Sequence, residues 1–144
     1  MRKLLVSLLI FISSFAYSEI SSKDLKALEL MIIEKDWPAC IDPRNYYDQV
    51  YCSVKIYGVL DDTLNNYYTL VRQALNSDQK DRLKKVQINW IHNRDQQCAK
   101  IDEGSVIMNL NCAKMKTLES LYFIDQMVTY PNEFENILKD YASK

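Results

Sequence analysis

From about residue 22 onward, apolar and polar positions of this 144-residue chain alternate with a helical period. Apolar side chains recur three or four residues apart, so each stretch carries one apolar face. The pattern predicts helices over residues 22–35, 46–75, 76–100 and 106–129, and a short last helix after Pro131. Only two glycines and three prolines interrupt the pattern, which is few for the tight turns of a sheet protein. We therefore predict an all-α fold, a small helical bundle of four to five helices.

Two connections shape this predicted bundle. Only about two residues, near Asn76, separate the second and third helices, so these two form a central antiparallel helical hairpin. Gly104, after Glu103, is interpreted as a left-handed stop of the third helix. Ser105 is then the N-cap of a fourth helix that begins at Val106.

The first 18 residues have a different pattern. A basic start at Arg2 and Lys3 precedes an apolar run from Leu4 to Phe15 and a small residue at Ser18, an order typical of a secretory signal peptide. The apolar run is short of the ~20 residues that span a bilayer, so a membrane-anchor helix is the less favoured alternative. We predict cleavage after Ser18, one domain over residues 19–144, and a periplasmic or secreted product.

All four cysteines, Cys40, Cys52, Cys98 and Cys112, follow the predicted signal peptide and so meet an oxidising compartment. We expect two structural disulfides and favour the local pairs 40–52 and 98–112, each contributing ~3 kcal/mol in the chain-entropy model. The pairs 52–98 and 40–112 remain an alternative, because an antiparallel hairpin brings its outer ends together. A zinc site is disfavoured, since short C-x2-C pairs are missing.

The charge balance narrows the range of partners. The chain has 18 basic and 19 acidic residues, and loss of Arg2 and Lys3 with the signal peptide makes the product slightly more acidic. Nucleic acid and anionic lipid require a basic face. We therefore expect no nucleic-acid binding and no membrane insertion of the mature chain. Ordinary solubility is the favoured explanation of the slight acidic excess, and a cationic partner is the alternative.

No catalytic, cofactor-binding or metal-binding motif is recognised. The single histidine, His92, has no nucleophile at a useful spacing, and P-loop, G-x-G-x-x-G and H-E-x-x-H patterns are missing. The adjacent carboxylates Asp61 and Asp62 diverge by about 100° on a helix and cannot flank one bond. We expect a protein that is not an enzyme and needs no cofactor.

Polar residues at helical spacing mark the central hairpin. On the second helix the series consists of two polar residues, a leucine and a tyrosine: Asp61, Leu64, Asn65 and Tyr68. On the third helix they precede a cysteine: Gln87, Trp90, Arg94 and Asp95. An arginine on an inward stripe needs a carboxylate, and Asp61 is the nearest candidate. We interpret the pair as an ion pair that fixes helix register, with a ligand site on the same residues as the alternative. Loss of Arg94 would cost about 3 kcal/mol if it left a buried unpaired charge.

Tyrosine is abundant, with ten in the chain. Six of them cluster early: Tyr46, Tyr47, Tyr51, Tyr57, Tyr67 and Tyr68. Tyrosine combines apolar area with a polar tip, so it suits both a core and a protein interface. Both interpretations remain open from the sequence.

The polar residues of the two central helices, followed by Gly104, Ser105 and Cys112, resemble the lysozyme inhibitor LprI-like N-terminal domain family, small exported helical domains of bacteria. The resemblance covers about residues 40–125. It implies an arginine near position 120, where this chain has Ser120. It also implies a protein partner, a lysozyme, whose activity the domain inhibits. Occlusion of the enzyme's cleft is the expected form of this inhibition.

We accordingly predict an exported binding protein, monomeric or weakly dimeric. Two exposed connections, residues 37–51 and 101–111, are the segments expected to fill an enzyme cleft. The alternative is a periplasmic accessory, immunity or envelope-stress protein that has another partner and does not inhibit lysozyme.

Overall fold

A computed structural model describes residues 22–144, and the predicted signal peptide lies outside the described residues. The helices are α1 (Ser22–Asp36), α2 (Tyr46–Ala74), α3 (Ser77–Cys98), α4 (Leu110–Thr129) and α5 (Phe134–Ala142). Short 3-10 turns at Pro38–Cys40 and Pro131–Glu133 follow α1 and α4. The predicted all-α bundle is confirmed.

The central helical hairpin, also confirmed, consists of α2 and α3. Asn76 caps α3, because its side-chain oxygen accepts a hydrogen bond from the backbone N–H of Gln79 at 2.9 Å. In return, the Gln79 side-chain oxygen accepts one from the backbone N–H of Asn76 at 3.2 Å. Since α3 turns back immediately, its last turns lie at the same end of the molecule as the first turns of α2.

Between α3 and α4 the structure differs from the prediction. The third helix ends at Cys98, two residues earlier than expected, and the fourth begins at Leu110, not Val106. Strands β1 (Ala99–Asp102) and β2 (Ser105–Met108) pair antiparallel between them. The N-cap of α4 is Asn109, whose side chain accepts from the backbone N–H of Cys112 at 3.0 Å.

The turn of this β-hairpin explains the difference. Glu103 and Gly104 both have positive φ, 46° and 81°, and two successive left-handed residues form the tight turn that matches the twist of paired strands. The left-handed conformation expected at Gly104 is therefore present, but it closes a hairpin instead of ending a helix. The β-branched residues Ile101, Val106 and Ile107 favour strands on either side.

The core is built around α4, which packs most extensively against α2 and also contacts α1, α3 and α5. On α4, Leu118, Leu121 and Ile124 are completely buried. Leu60 of α2 and Leu83 of α3 are equally inaccessible. Burial of each such side chain contributes about 2 kcal/mol relative to exposure, so these contacts supply most of the stabilisation of the helices.

The disulfides connect Cys40 to Cys52 and Cys98 to Cys112, which is the local pairing. The first joins the turn after α1 to the beginning of α2, and the second joins the end of α3 to the beginning of α4. Because α2 and α3 are antiparallel, both cross-links lie at one end of the bundle. We call residues 37–62 and 94–112 the disulfide end.

Candidate functional site

The β-hairpin presents apolar side chains to solvent. Ile101 and Val106 are directly opposite in the register, and they are 80% and 72% exposed. Ile107, on the other face, is also exposed. Most residues of both strands are accessible, so folding of the monomer does not account for these apolar side chains.

Covalent and backbone contacts fix the base of the hairpin. An isolated two-stranded hairpin is only marginally stable in water. Here the Cys98–Cys112 disulfide joins the two segments that flank the strands, and the backbone N–H of Asn109 donates to the Cys98 carbonyl at 2.8 Å. The exposed pair at Ile101 and Val106 is therefore carried on a defined support.

A second exposed apolar surface lies on the first turns of α2. It consists of Tyr46, Tyr47, Val50, Tyr51 and Val54, and we call it the tyrosine face. Its most accessible members are Tyr46, 72% exposed, and Tyr47, 83% exposed. The six early tyrosines thus divide, because the first three are on this face and the later three are half-buried.

Aromatic and cationic groups meet at one edge of the tyrosine face. Trp37 and Tyr51 pack edge to face with ring centroids 6.1 Å apart. The Lys55 ammonium lies 5.1 Å from the Trp37 ring and 5.5 Å from the Tyr51 ring, within the range of a cation–π interaction. The rings at this end are therefore placed to receive a positive charge.

The disulfide end carries the acidic excess of the described chain. Its two ranges contain seven acidic and four basic residues, whereas the rest of residues 22–144 has eleven acidic and twelve basic residues. Asp102 and Glu103 stand at the hairpin tip, beside the exposed apolar pair. The disulfide end thus combines exposed apolar side chains with a net negative charge, which attracts a positively charged surface.

The ion pair expected between α2 and α3 is present. Arg94 Nη1 lies 3.5 Å from Asp61 Oδ1, its Nε donates to Asp95 Oδ1 at 2.9 Å, and its guanidinium lies 5.1 Å from the Trp90 ring. Asn65 Nδ2 donates to Asp61 at 3.5 Å. These five motif residues form one polar cluster that joins the two helices.

The exposure of the two carboxylates changes the expected cost of losing Arg94. Its side chain is only 12% exposed, but those of Asp61 and Asp95 are 42% and 49% exposed. Water would hydrate both carboxylates in the absence of the arginine, so neither becomes a buried unpaired charge. We expect about 1 kcal/mol, closer to an exposed pair plus lost stacking than to a buried one.

The remaining motif residues lie elsewhere. Leu64 and Gln87 are buried, Tyr68 is half-buried, and its hydroxyl accepts from Arg72 at 3.2 Å. Gly104 and Ser105 belong to the β-hairpin. The structure thus divides the motif among the core, the polar cluster and the hairpin.

A buried hydrogen-bonded group that the sequence did not predict holds α5 in place. The Tyr141 hydroxyl donates to Gln87 Oε1 at 2.7 Å and is hydrogen-bonded to Ser120. Burial raises the pKa of Tyr141 above its usual range, an effect that the Ser120 bond opposes. Ser120, where the resemblance implies arginine, is completely buried here and serves this contact.

Sequence reasoning also missed the exposed pair Ile101 and Val106. A usable pattern was present, because apolar β-branched residues flank a two-residue Glu103-Gly104 turn. The helical spacing of apolar residues before and after this segment favoured a continuous helix prediction over two short strands.

A cavity of about 40 Å³ lies beside Trp90, Asn89 and Asn93. The Trp90 Nε1 has no hydrogen-bond partner among the described residues. The volume admits a few water molecules, far below the ~300 Å³ of a typical small-molecule site. The exposed surfaces of the disulfide end are therefore the better candidates for binding.

A family model described as lysozyme inhibitor LprI matches residues 40–123. The matched segment begins at the first cysteine and includes both disulfides, the polar cluster and the β-hairpin. Comparison with curated proteins found no match, and comparison with solved structures found none either. Within residues 22–144, no helix has the length and apolar character needed to cross a membrane.

Proposed function

Because this chain belongs to the lysozyme inhibitor LprI family, we propose that it is an exported protein that binds a lysozyme and occludes its cleft. The family is described by inhibition, not by catalysis, and two disulfides are typical of proteins outside the cytoplasm. We place the mature chain, residues 19–144, in the periplasm or outside the cell. Its role is binding, not turnover.

The observation that carries the proposal is the exposed β-hairpin. Glycoside hydrolases hold two carboxyl groups on either side of the scissile bond within a cleft. A strand of four residues extends ~13 Å, long enough to reach into such a cleft. Insertion would bury the Ile101 and Val106 side chains, which the monomer leaves in water.

The hairpin pair alone does not supply enough free energy. Complete burial of two such side chains contributes roughly 3–6 kcal/mol, whereas a micromolar complex requires about 8 kcal/mol and association itself costs several more. Tight inhibition therefore needs further contacts around the hairpin.

A titration tests the proposal. Oxidised mature protein is added to lysozymes of several types, and turnover is followed on a cell-wall substrate. We expect a saturable, stoichiometric loss of turnover for at least one type. No loss at micromolar excess against any type would remove the proposal in favour of an accessory role with another partner.

Variants locate the contact. The double variant Ile101→Ser/Val106→Ser should keep its melting temperature and weaken inhibition at least tenfold, because it removes most of the hairpin's apolar contact. Ile88→Ser/Val128→Ser is the matched control, since both side chains are exposed on helices outside the disulfide end. Unchanged inhibition by the hairpin variant would exclude the hairpin as the occluding element.

A further inference from the structure

We propose that the tyrosine face of α2 is a second contact surface for the same partner, and that it receives lysine or arginine side chains of that partner beside the cleft. This inference rests on the proposed function, and it assigns a role to a surface separate from the β-hairpin. The partner chemistry is a protein surface with exposed cationic side chains.

The tyrosine face is turned away from the core. Cys52, Ile56 and Leu60 mark the buried side of α2. Tyr47, Tyr51 and Val54 recur at intervals of four and three, so they share the opposite side. Trp37 and Lys55 contact Tyr51 at one edge of this surface, whereas Tyr46 and Tyr47 are among the most exposed aromatic rings of residues 22–144.

The rings themselves suit positive groups. The Lys55 ammonium already lies 5.1 Å from the centre of the Trp37 ring and 5.5 Å from that of Tyr51. Tyr46 and Tyr47 pack against each other with centroids 6.2 Å apart and an interplanar angle of 69°. Among the described residues no cation lies over either of them, so their faces are open to a cation from a partner.

Charge decides against a second copy of this chain as the occupant. Pairing two disulfide ends would bring together two surfaces that each carry seven acidic and four basic residues. Like charges oppose such a contact, whereas a cationic partner gains from the same field. Beside the rings, Asp48 is paired with Arg44 at 3.2 Å, so the attraction for a cationic partner comes from the net charge of the whole disulfide end.

Both surfaces are fixed at the same end of the bundle. Cys52, next to Tyr51 in the chain, ties the tyrosine face to the turn after α1, and the Cys98–Cys112 bond closes the hairpin base. Supports of this kind lower the ordering cost of binding. A second surface also supplies the binding free energy that the hairpin pair lacks.

The test measures binding separately from inhibition. Calorimetry at 50 and 300 mM salt would give the affinity of the oxidised mature protein for a basic lysozyme chosen from those used in the titration. We expect Tyr46→Ala/Tyr47→Ala to weaken binding by 10- to 100-fold, and Tyr46→Phe/Tyr47→Phe to keep most of the affinity because the ring faces remain. We also expect the wild-type affinity to fall at least fivefold at the higher salt concentration.

Tyr130→Ala is the matched control, because Tyr130 is 53% exposed and follows α4 at the other end of the bundle. Its affinity should equal that of the wild type. Unchanged affinity of the Tyr46/Tyr47 alanine variant, or an affinity independent of salt, would overturn the inference. If the Tyr46/Tyr47 alanine variant kept its affinity and still inhibited lysozyme, the second surface would be excluded and the proposed function would stand.

Two outcomes for the wild type separate the two proposals further. Salt-sensitive binding that requires Tyr46 and Tyr47 but leaves turnover unaffected would support the second surface and remove occlusion. No binding at micromolar concentration to any of the lysozyme types used in the titration would overturn both proposals.

Discussion

The helical core and the disulfide end of this molecule are stabilised in different ways. In the core, leucines and isoleucines of α2, α3 and α4 are completely buried, and packing holds the helices together. At the disulfide end, apolar residues such as Ile101 and Tyr47 remain in water, while two covalent bonds define the segments that carry them. Cross-links thus allow a small domain to keep a defined surface without burying it.

Polar groups show the same contrast. Tyr141, Gln87 and Ser120 are buried and satisfy one another across three helices. Arg94 at the disulfide end pairs with carboxylates that are nearly half exposed. The buried hydrogen bonds depend on exact packing, whereas water can replace Arg94 as the partner of the two carboxylates.

The largest difference in the free energy of unfolding is expected when one side chain in each region is truncated to alanine. Leu121→Ala removes a completely buried side chain and should lower the free energy of unfolding by about 3–5 kcal/mol. Ile101→Ala, at an 80% exposed position, should change it by no more than about 0.5 kcal/mol. Urea unfolding followed by circular dichroism measures both, and similar losses would show that the hairpin is part of the core.

Removal of one cross-link tests the covalent support. Cys98→Ala/Cys112→Ala should cost about 3 kcal/mol by the chain-entropy model, with hydrogen exchange accelerated mainly in β1 and β2. Cys40→Ala/Cys52→Ala should destabilise by a similar amount without affecting exchange in the hairpin. Unchanged protection of residues 99–108 in the first variant would mean that the strands hold their shape without the disulfide.

The buried polar group should respond to loss of one hydroxyl. Tyr141→Phe leaves Gln87 and Ser120 without their shared partner, so we expect a loss of about 1–3 kcal/mol. Tyr130→Phe, at an exposed ring, serves as the control and should be neutral. The melting temperatures of the two variants decide whether the group holds α5 against α3 and α4.

The exposed polar cluster should respond less. Arg94→Ala should cost about 1 kcal/mol, since water replaces the guanidinium at Asp61 and Asp95. Arg44→Ala, which removes an exposed pair with Asp48, should cost less still. A loss of 3 kcal/mol or more in denaturant unfolding of the Arg94 variant would show that Asp61 is buried in solution.

The smallest effect is expected at an exposed contact between α3 and α5. Hydrogen bonds from Arg82 and Gln79 lower the pKa of Glu135 from 4.5 to about 2. Because the folded-state pKa is the lower one, the carboxylate stabilises the fold above pH 4.5, and this contribution disappears as the pH falls towards 2. Glu135→Gln should therefore flatten the dependence of melting temperature on pH between 4.5 and 2, and an identical acid profile would contradict the pairing.

The sequence by itself determined the features that depend on neighbouring residues. The three-to-four spacing of apolar residues specifies helices, and a two-residue connection at Leu75 and Asn76 allows only an antiparallel return of α3. The spacing of motif residues also brought Asp61 and Arg94 into one cluster. The first two conclusions need only local geometry and the repeat of one helix, and the third needs the antiparallel return of α3 in addition.

Tertiary structure decided which faces are covered and which distant residues meet. Tyr141 is 21 positions from Ser120 and 54 positions from Gln87, so no local sequence pattern relates these three residues. The tyrosines divide between solvent and partial burial because neighbouring helices cover only one side of α2. The exposed hairpin likewise depends on where α3 and α4 end and on the disulfide between them, since burial is a property of the assembled chain and not of any one segment.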